Sequence, residues 1–219
     1  NKLQEAAKIL VPLDSSMLPA SVKADHVIAL ARLAMVQEKY ARATELLTTD
    51  ERGLVTASIS LDAERLNRIS LLRAQAWEAQ QNYLAAARER IFVSAMLANP
   101  DAFNANHQQI WTDLISVPTE NLEQLAQTVA IPEIQGWLEL AWIYKSQQDN
   151  IDQQLKDLRK WQQKFASHPA AKQLPDSLRL LAEMSDKKPA NIALLLPLQG
   201  KFRQSAIAIQ NGFMTAHYA

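Results

Sequence analysis

The chain has 219 residues, with 23 Lys and Arg, 23 Asp and Glu and no Cys, so its formal net charge is zero. A neutral chain has no strong field with which to attract nucleic acid or an anionic membrane, and a chain without cysteine can form no disulfide or thiolate centre. No apolar run approaches the roughly 18 residues typical of a membrane span.

Residues 1–186 are predicted to be almost entirely helical. The whole chain contains only four glycines, and this part is rich in Ala, Leu, Gln, Glu and Arg, which lose little side-chain freedom in a helix. Apolar residues recur at i, i+3 and i+4, interrupted by short polar stretches such as QEK and EAQQN. The pattern predicts four helical hairpins and a final short helix in DSLRLLAEM. The hairpins are expected over residues 23–47, 61–98, 103–129 and 132–166.

The hairpins recur at a nearly constant interval along the chain. Alignment at the end of each first helix places Trp77, Trp111 and Tyr144 in equivalent positions, at intervals that differ by a single residue. Ala34 is the corresponding residue of the first hairpin. A period near 34 with two helices in each unit is typical of tetratricopeptide (TPR) arrays, so we predict a TPR-like solenoid.

The segment WLELAWIY is the clearest single match to a TPR unit. Trp137, Leu140, Ala141 and Tyr144 stand at the spacing W-x2-L-[GA]-x2-Y. Ala141 is small enough for the paired helix to approach closely, and the larger side chains fill the groove around it. We therefore predict that these residues, with Ala34, Trp77 and Trp111, pack the repeats together.

The first helices of such an array usually line a concave surface that holds a partner. The alternative for each residue of this surface, taken singly, is a place on a solvated polar face. The residues predicted to contact a partner protein are Arg32, Met35, Gln75, Glu78, Gln135, Leu138, Trp142 and Lys145.

The sequence predicts no catalytic residue, metal ligand or cofactor site. The four histidines are far apart, and none has a partner at the spacing of a metal site. Residues 185–188 spell the S-x-x-K motif of penicillin-interacting serine enzymes, but they stand in a polar segment without the companion motifs of that class. No phosphate-binding glycine loop is present.

The last residues follow a different pattern. NIALLLPL, residues 191–198, is typical of a strand buried on both faces. Gly200 provides a turn, and RQSAIAIQNGF begins a helix. We therefore predict an all-α, TPR-like domain over 1–186, a linker at 187–190 and a β-turn-α fragment at 191–219 that opens a following α/β domain.

The tail resembles the opening of type I periplasmic-binding-protein domains. Together with the helical array and the segments FNANHQQIWTDL and GWLELAWIYK, it resembles the LpoA family of penicillin-binding protein activators. The resemblance implies an outer-membrane lipoprotein, facing the periplasm, that stimulates a class A penicillin-binding protein and has peptidoglycan as a possible second partner. It also implies a lipid anchor on an N-terminal Cys that is absent from this sequence.

Three functions are compatible with these patterns. The first is a non-catalytic scaffold that presents the helical array to a protein partner. The second is a periplasmic sensor, in which the α/β lobe binds a small ligand and the array relays that binding. The third is a peptidoglycan-cleaving enzyme fused to a solenoid, which requires a catalytic Glu in a cleft. The resemblance favours the scaffold.

Overall fold

A computed structural model describes residues 2–14, 17–50, 52, 54–186 and 193–218. Within these residues the fold is all-α, and no strand is formed. The chain divides into two compact units, residues 1–181 and 182–219. The boundary between the two units falls close to residue 186, the predicted end of the helical domain. The predicted domain bounds, the linker and the α/β assignment of the tail stay predictions.

All four predicted hairpins are present in the first unit as consecutive pairs of helices. The last of them is followed by one turn of helix and then by a longer helix. The helices of residues 1–186 are α1 (Lys2–Leu10), α2 (Ala20–Val36), α3 (Tyr40–Thr48), α4 (Leu54–Ser58), α5 (Ala63–Ala79), α6 (Tyr83–Ser94), α7 (Pro100–Ser116), α8 (Thr119–Thr128), α9 (Pro132–Ser146), α10 (Ile151–Lys164), α11 (Pro169–Lys172) and α12 (Asp176–Asp186).

The helices begin where local chemistry favours a start. The side chains of Asp62, Asn82 and Asn150 accept backbone N–H groups of the first turns of α5, α6 and α10. Asn99 does the same for α7, where Pro100 occupies the first position and has no N–H to satisfy. Capping side chains therefore mark the starts of these four helices, whereas α2, α3, α8 and α9 begin without one.

The first two hairpins turn without glycine. In both turns the backbone closes as a Schellman motif, with Lys39 N–H bonded to Ala34 O at 2.9 Å and Asn82 N–H bonded to Trp77 O at 2.9 Å. Glu38 and Gln81 hold the left-handed position of these motifs, with φ of 58° and 61°. Glycine is the residue usually found at that position.

Successive hairpins stack mainly through the second helix of one hairpin and the first helix of the next. First helices pack on first helices in the pairs α2–α5 and α7–α9, and second helices pack on the following first helix in α3–α5, α6–α7 and α8–α9. The third pair is the loosest, because α8 packs mainly on α9 and only weakly on α7. The extended Val117 and Pro118 separate these two helices. This stacking confirms the TPR-like array.

Buried apolar side chains form one large cluster that extends from α6 across the third and fourth hairpins to α12. A smaller cluster is centred on the first hairpin and also includes residues of α4 and α5. Ala34, Ala43 and Ala76 pack together between the first two hairpins. Small side chains at this point let the backbones of α2, α3 and α5 approach closely.

The second unit contains one turn of 3₁₀ helix (Gly200–Phe202) and α13 (Arg203–Tyr218), as the sequence predicts. The strand predicted at 191–198 is not formed by residues 193–198, and residues 191 and 192 lie outside the described residues, as does the linker at 187–190. An isolated strand has no neighbour for its N–H and C=O groups, so residues 193–198 form no ladder.

Candidate functional site

The eight residues predicted to contact a partner differ widely in exposure. Arg32 on α2 and Gln75 on α5 are exposed, and their side chains have no hydrogen-bond partner among the described residues. Met35 is half-buried between the cluster of the first hairpin and the alanine cluster. Trp142 is half-buried against the large cluster. Only the first two therefore have side chains fully available to a partner.

Three of the predicted contact residues are engaged inside the molecule. Glu78 is bound by Arg90. Gln135 donates from Nε2 to Ala126 O at 3.1 Å. Lys145 donates from Nζ to the carbonyl oxygen of Val117. These side chains join neighbouring helices, which explains their presence on otherwise apolar surfaces.

The prediction that Leu138 lies on the contact surface is wrong. Its exposed fraction is 0%, and it belongs to the large cluster. Helix α9 packs against α6, α7, α8 and α10, so it is covered on nearly every side. A helix that is apolar on all faces is buried, and its outward face cannot be assigned from periodicity.

The residues predicted to pack the repeats lie as follows. Trp137, Leu140 and Ala141 are buried to 1% exposure or less. The rings of Trp111 and Tyr144 contact each other edge to face, with centroids 5.2 Å apart. Ala34 packs against alanines of α3 and α5, and Trp77 is half-buried.

The positions of Trp111 and Tyr144 within their helices are not identical. Tyr144 stands two residues before the end of α9, as Trp77 does in α5, whereas Trp111 stands five residues before the end of α7. The predicted alignment of Trp111 with Trp77 and Tyr144 at the end of each first helix is therefore wrong, although the rings of Trp111 and Tyr144 contact each other.

A polar network lies at the junction of α5, α6 and α7. Arg90 on α6 is 9% exposed. Its Nε donates to Glu78 Oε1 at 2.6 Å and lies 3.5 Å from Asp113 Oδ2. Asn106 donates from Nδ2 to Arg90 O and to Ser94 Oγ, both at 2.9 Å. One arginine is thus shared by two carboxylates from different hairpins.

The carboxyl group of Asp113 in this network has a raised pKa. Burial raises its pKa to about 7, with a further contribution from the nearby Glu78 carboxylate. Its Oδ2 makes no hydrogen bond among the described residues. Because one guanidinium cannot fully compensate two buried carboxylates, Asp113 binds a proton more readily than an exposed aspartate.

A second buried site surrounds His168, the residue that precedes α11. Ala170 N–H donates to Nδ1 at 3.1 Å, so Nε2 carries the proton and donates to Glu133 O at 2.9 Å. The rings of Trp137 and Trp161 lie edge-on, with centroids 5.4 and 5.3 Å away. Burial lowers the pKa of His168. The imidazole is therefore a neutral structural cap.

Gly136 of α9 lies directly against this imidazole. A Cβ at this position would be 2.7 Å from His168 Cδ2, a distance too short for real contacts. The carbonyl oxygen of Gly136 also accepts the indole N–H of Trp161 at 2.9 Å. The sequence contains a signal for this contact, since Gly136 interrupts an otherwise strong helix.

His107 on α7 also contacts Trp137, with ring centroids 5.4 Å apart. Its Nε2 is buried and has no hydrogen-bond partner among the described residues. Burial, with a smaller contribution from His168, lowers its pKa to about 4. Sequence reasoning missed the proximity of these two histidines because His107 lies in the third hairpin and His168 follows the fourth, so they are far apart along the chain.

A cleft of about 630 Å³ opens beside the turn between α5 and α6. It is bounded by that turn, by the link between α7 and α8, and by α8. Its lining residues are Gln81, Asn82, Tyr83, Leu84, Ser116, Val117, Pro118, Asn121, Gln124, Leu125 and Thr128.

The described residues form neither a metal-binding cluster nor a membrane-spanning helix. No group of three or more His, Asp or Glu side chains has an arrangement that would hold a metal ion. None of the helices in that part of the chain combines the length and apolar content needed to cross a bilayer.

Stacked helical hairpins, joined by buried polar and aromatic contacts, define this chain as a protein with a TPR-like helical array. The model of the LppC putative lipoprotein family matches residues 1–219. The chain therefore belongs to that family, and the resemblance to the LpoA activators is confirmed.

The chain is similar to proteins and solved structures that are named LpoA. The "Penicillin-binding protein activator LpoA" of Vibrio cholerae serotype O1 is 28% identical over 216 residues, which are 99% of this chain and 35% of that protein. Full-length LpoA of Haemophilus influenzae has a TM-score of 0.69 at 24% identity, over 99% of this chain and 38% of that one.

The isolated N-terminal domain of the Haemophilus influenzae protein has a TM-score of 0.62 at 22% identity, over 83% of this chain and 78% of the domain. These structural matches establish the helical fold. The chain spans about a third of the length of the curated relatives that it matches.

Proposed function

We propose that this chain is the helical spacer and docking part of a lipoprotein that activates a class A penicillin-binding protein. The observation that carries the proposal is the similarity over 99% of the chain to a protein named as a penicillin-binding protein activator. That name favours enzyme activation over small-ligand sensing. The lipoprotein family supports attachment to the outer membrane, with the protein facing the periplasm.

The proposed role is non-catalytic. Asp113 and His107, whose pKa values are strongly shifted, are almost fully buried and are used in packing between hairpins. A catalytic acid or base must reach the proton that it transfers. Measured hydrolysis of peptidoglycan by this chain would contradict the proposal.

Within the array, the surface of α2 and α5 that carries Arg32 and Gln75 is the part we assign to the synthase. The two helices pack against each other, so these exposed side chains belong to neighbouring units. Neither is held by the fold. Arg is enriched at protein interfaces because its planar guanidinium binds carboxylates in two-point contacts.

The experiment uses the intact lipoprotein and its purified synthase. We expect the double substitution Arg32→Ala, Gln75→Ala to weaken binding and to reduce the stimulation of synthesis. Arg88→Ala is the matched control, since Arg88 is exposed on the second helix α6. Unchanged binding by the double variant would refute this surface. Unchanged stimulation after removal of the whole array would refute a role for the array in activation.

A further inference from the structure

The cleft beside the α5–α6 turn has an unusual chemistry for this chain. Charged residues make up 21% of the sequence, yet none of its lining residues carries a charge at neutral pH. Its volume of about 630 Å³ lies within the range of small-ligand sites. The cleft is therefore suited to an uncharged polar ligand.

Three carboxamides at the cleft are available for binding. The side chains of Gln81, Asn121 and Gln124 are exposed and make no hydrogen bond among the described residues. Each carboxamide presents both donor and acceptor groups. They come from two separate elements, the α5–α6 turn and α8, so a ligand in the cleft can contact both.

The walls that carry these side chains are held in place. Gln81 occupies the left-handed position of the Schellman turn. Asn82 is fixed by its cap to Ala85 N at 3.3 Å. Across the cleft, the carbonyl oxygen of Val117 accepts Lys145 Nζ. A binding surface whose backbone is already ordered loses less entropy when a ligand binds.

The cleft does not match three of the usual modes of peptide recognition. The described part of the chain has no strand edge that could pair with a peptide backbone. An acidic motif needs an arginine cluster, and a proline-rich motif needs a groove with several aromatic rings. The lining has no arginine, and Tyr83 is its single aromatic residue.

A saccharide fits the cleft better. Its hydroxyl and acetamido groups are donors and acceptors at once, which carboxamides satisfy from either side. The apolar faces of its rings can lie on Tyr83, Leu84, Pro118 and Leu125, which also line the cleft. The polar and the apolar residues of the lining would then both contact the ligand.

We propose that this cleft binds an uncharged segment of an oligosaccharide chain. The binding deepens the proposed function, on which it rests, because it gives the array a contact with the glycan as well as with the enzyme. The ligand would lie between the α5–α6 turn and α8, held by Gln81, Asn121 and Gln124.

The test uses the chain itself with the hexamer of N-acetylglucosamine, followed by NMR of the side-chain amide groups. We expect saturable shifts at Gln81, Asn121 and Gln124. Asn121→Ala with Gln124→Ala should weaken binding about tenfold or more, because two hydrogen bonds are lost. Gln127→Ala is the control, since Gln127 is exposed on α8 but does not line the cleft.

Two further probes define the outcome. Maltohexaose tests a saccharide without acetamido groups, and binding of either saccharide in the cleft supports the proposal. Binding of neither saccharide, or binding that the double substitution leaves unchanged, overturns it. Binding of an uncharged hexapeptide in place of the saccharides also overturns it. The synthase assay on the same variants is independent, so a cleft that binds no glycan leaves the activator function standing.

Discussion

Replacing Gly136 with alanine should destabilise the array, although alanine is the better helix former. A Cβ would lie 2.7 Å from His168 Cδ2, 2.9 Å from Nε2 and 3.3 Å from Phe165 Cδ1. The imidazole cannot move freely, because both of its nitrogens are hydrogen-bonded and two tryptophan rings border it. The substitution therefore forces packed groups apart.

The magnitude follows from three contributions. Alanine in place of glycine in a helix interior favours folding by about 1 kcal/mol. Overpacking costs about 1 to 3 kcal/mol, and displacement of His168 from the α11 start costs about 1 kcal/mol more. The expected net loss is about 2 kcal/mol, or a fall in melting temperature of roughly 4 to 8 °C for a chain of this size.

Urea unfolding followed by circular dichroism measures this loss. The double-mutant cycle with His168→Ala gives the control, because removal of the imidazole removes the close contact. In that background Gly136→Ala should become neutral or stabilising. Equal or greater stability of the single variant Gly136→Ala than of the parent chain would refute the reasoning.

Three other substitutions test separate features. Glu38→Gly should stabilise the folded chain by about 1 kcal/mol, because glycine adopts the left-handed conformation without strain. Gln37→Gly, at a position with negative φ, should not stabilise it, and thermal unfolding compares the two variants. The pKa of Asp113 is raised to about 7, so its ionisation lowers stability as the pH rises from 4 to 7. Asp113→Asn should flatten the dependence of the unfolding free energy on pH between pH 4 and 7, measured by urea unfolding. An unchanged pH dependence would contradict the assignment. The pKa of His107 is lowered to about 4, so the stability that it contributes is lost as the pH falls below 6.5; His107→Phe should reduce that acid loss in the same assay.

Local pattern was sufficient to predict the hairpins. The spacing of apolar residues and the polar stretches between them depend on residues within a few turns, and these interactions also start and end each helix. Asn82 and Asn99 are examples, since each caps the helix that follows it. The turns at Glu38 and Gln81 lie where the polar stretches predict them, although their left-handed backbone does not follow from residue type.

The candidate surface was only partly predictable. Leu138 follows the helical period as an outward residue would, but α9 is surrounded by other helices and the side chain is buried. Glu78 and Lys145 have the polar character of surface residues, yet both reach across to another helix. A period identifies the faces of a helix and does not say how many of them are covered.

The sequence by itself determined that the chain forms paired helices that recur at a regular interval, because that information is local. Only the tertiary structure decided which polar groups are buried, since Glu78, Arg90 and Asp113 come from three helices and meet only after the hairpins stack. The same holds for His168 against Gly136, and for the uncharged cleft, whose two walls come from different hairpins. Burial and proximity are set by contacts between distant segments, and the physical chemistry of each side chain changes with them.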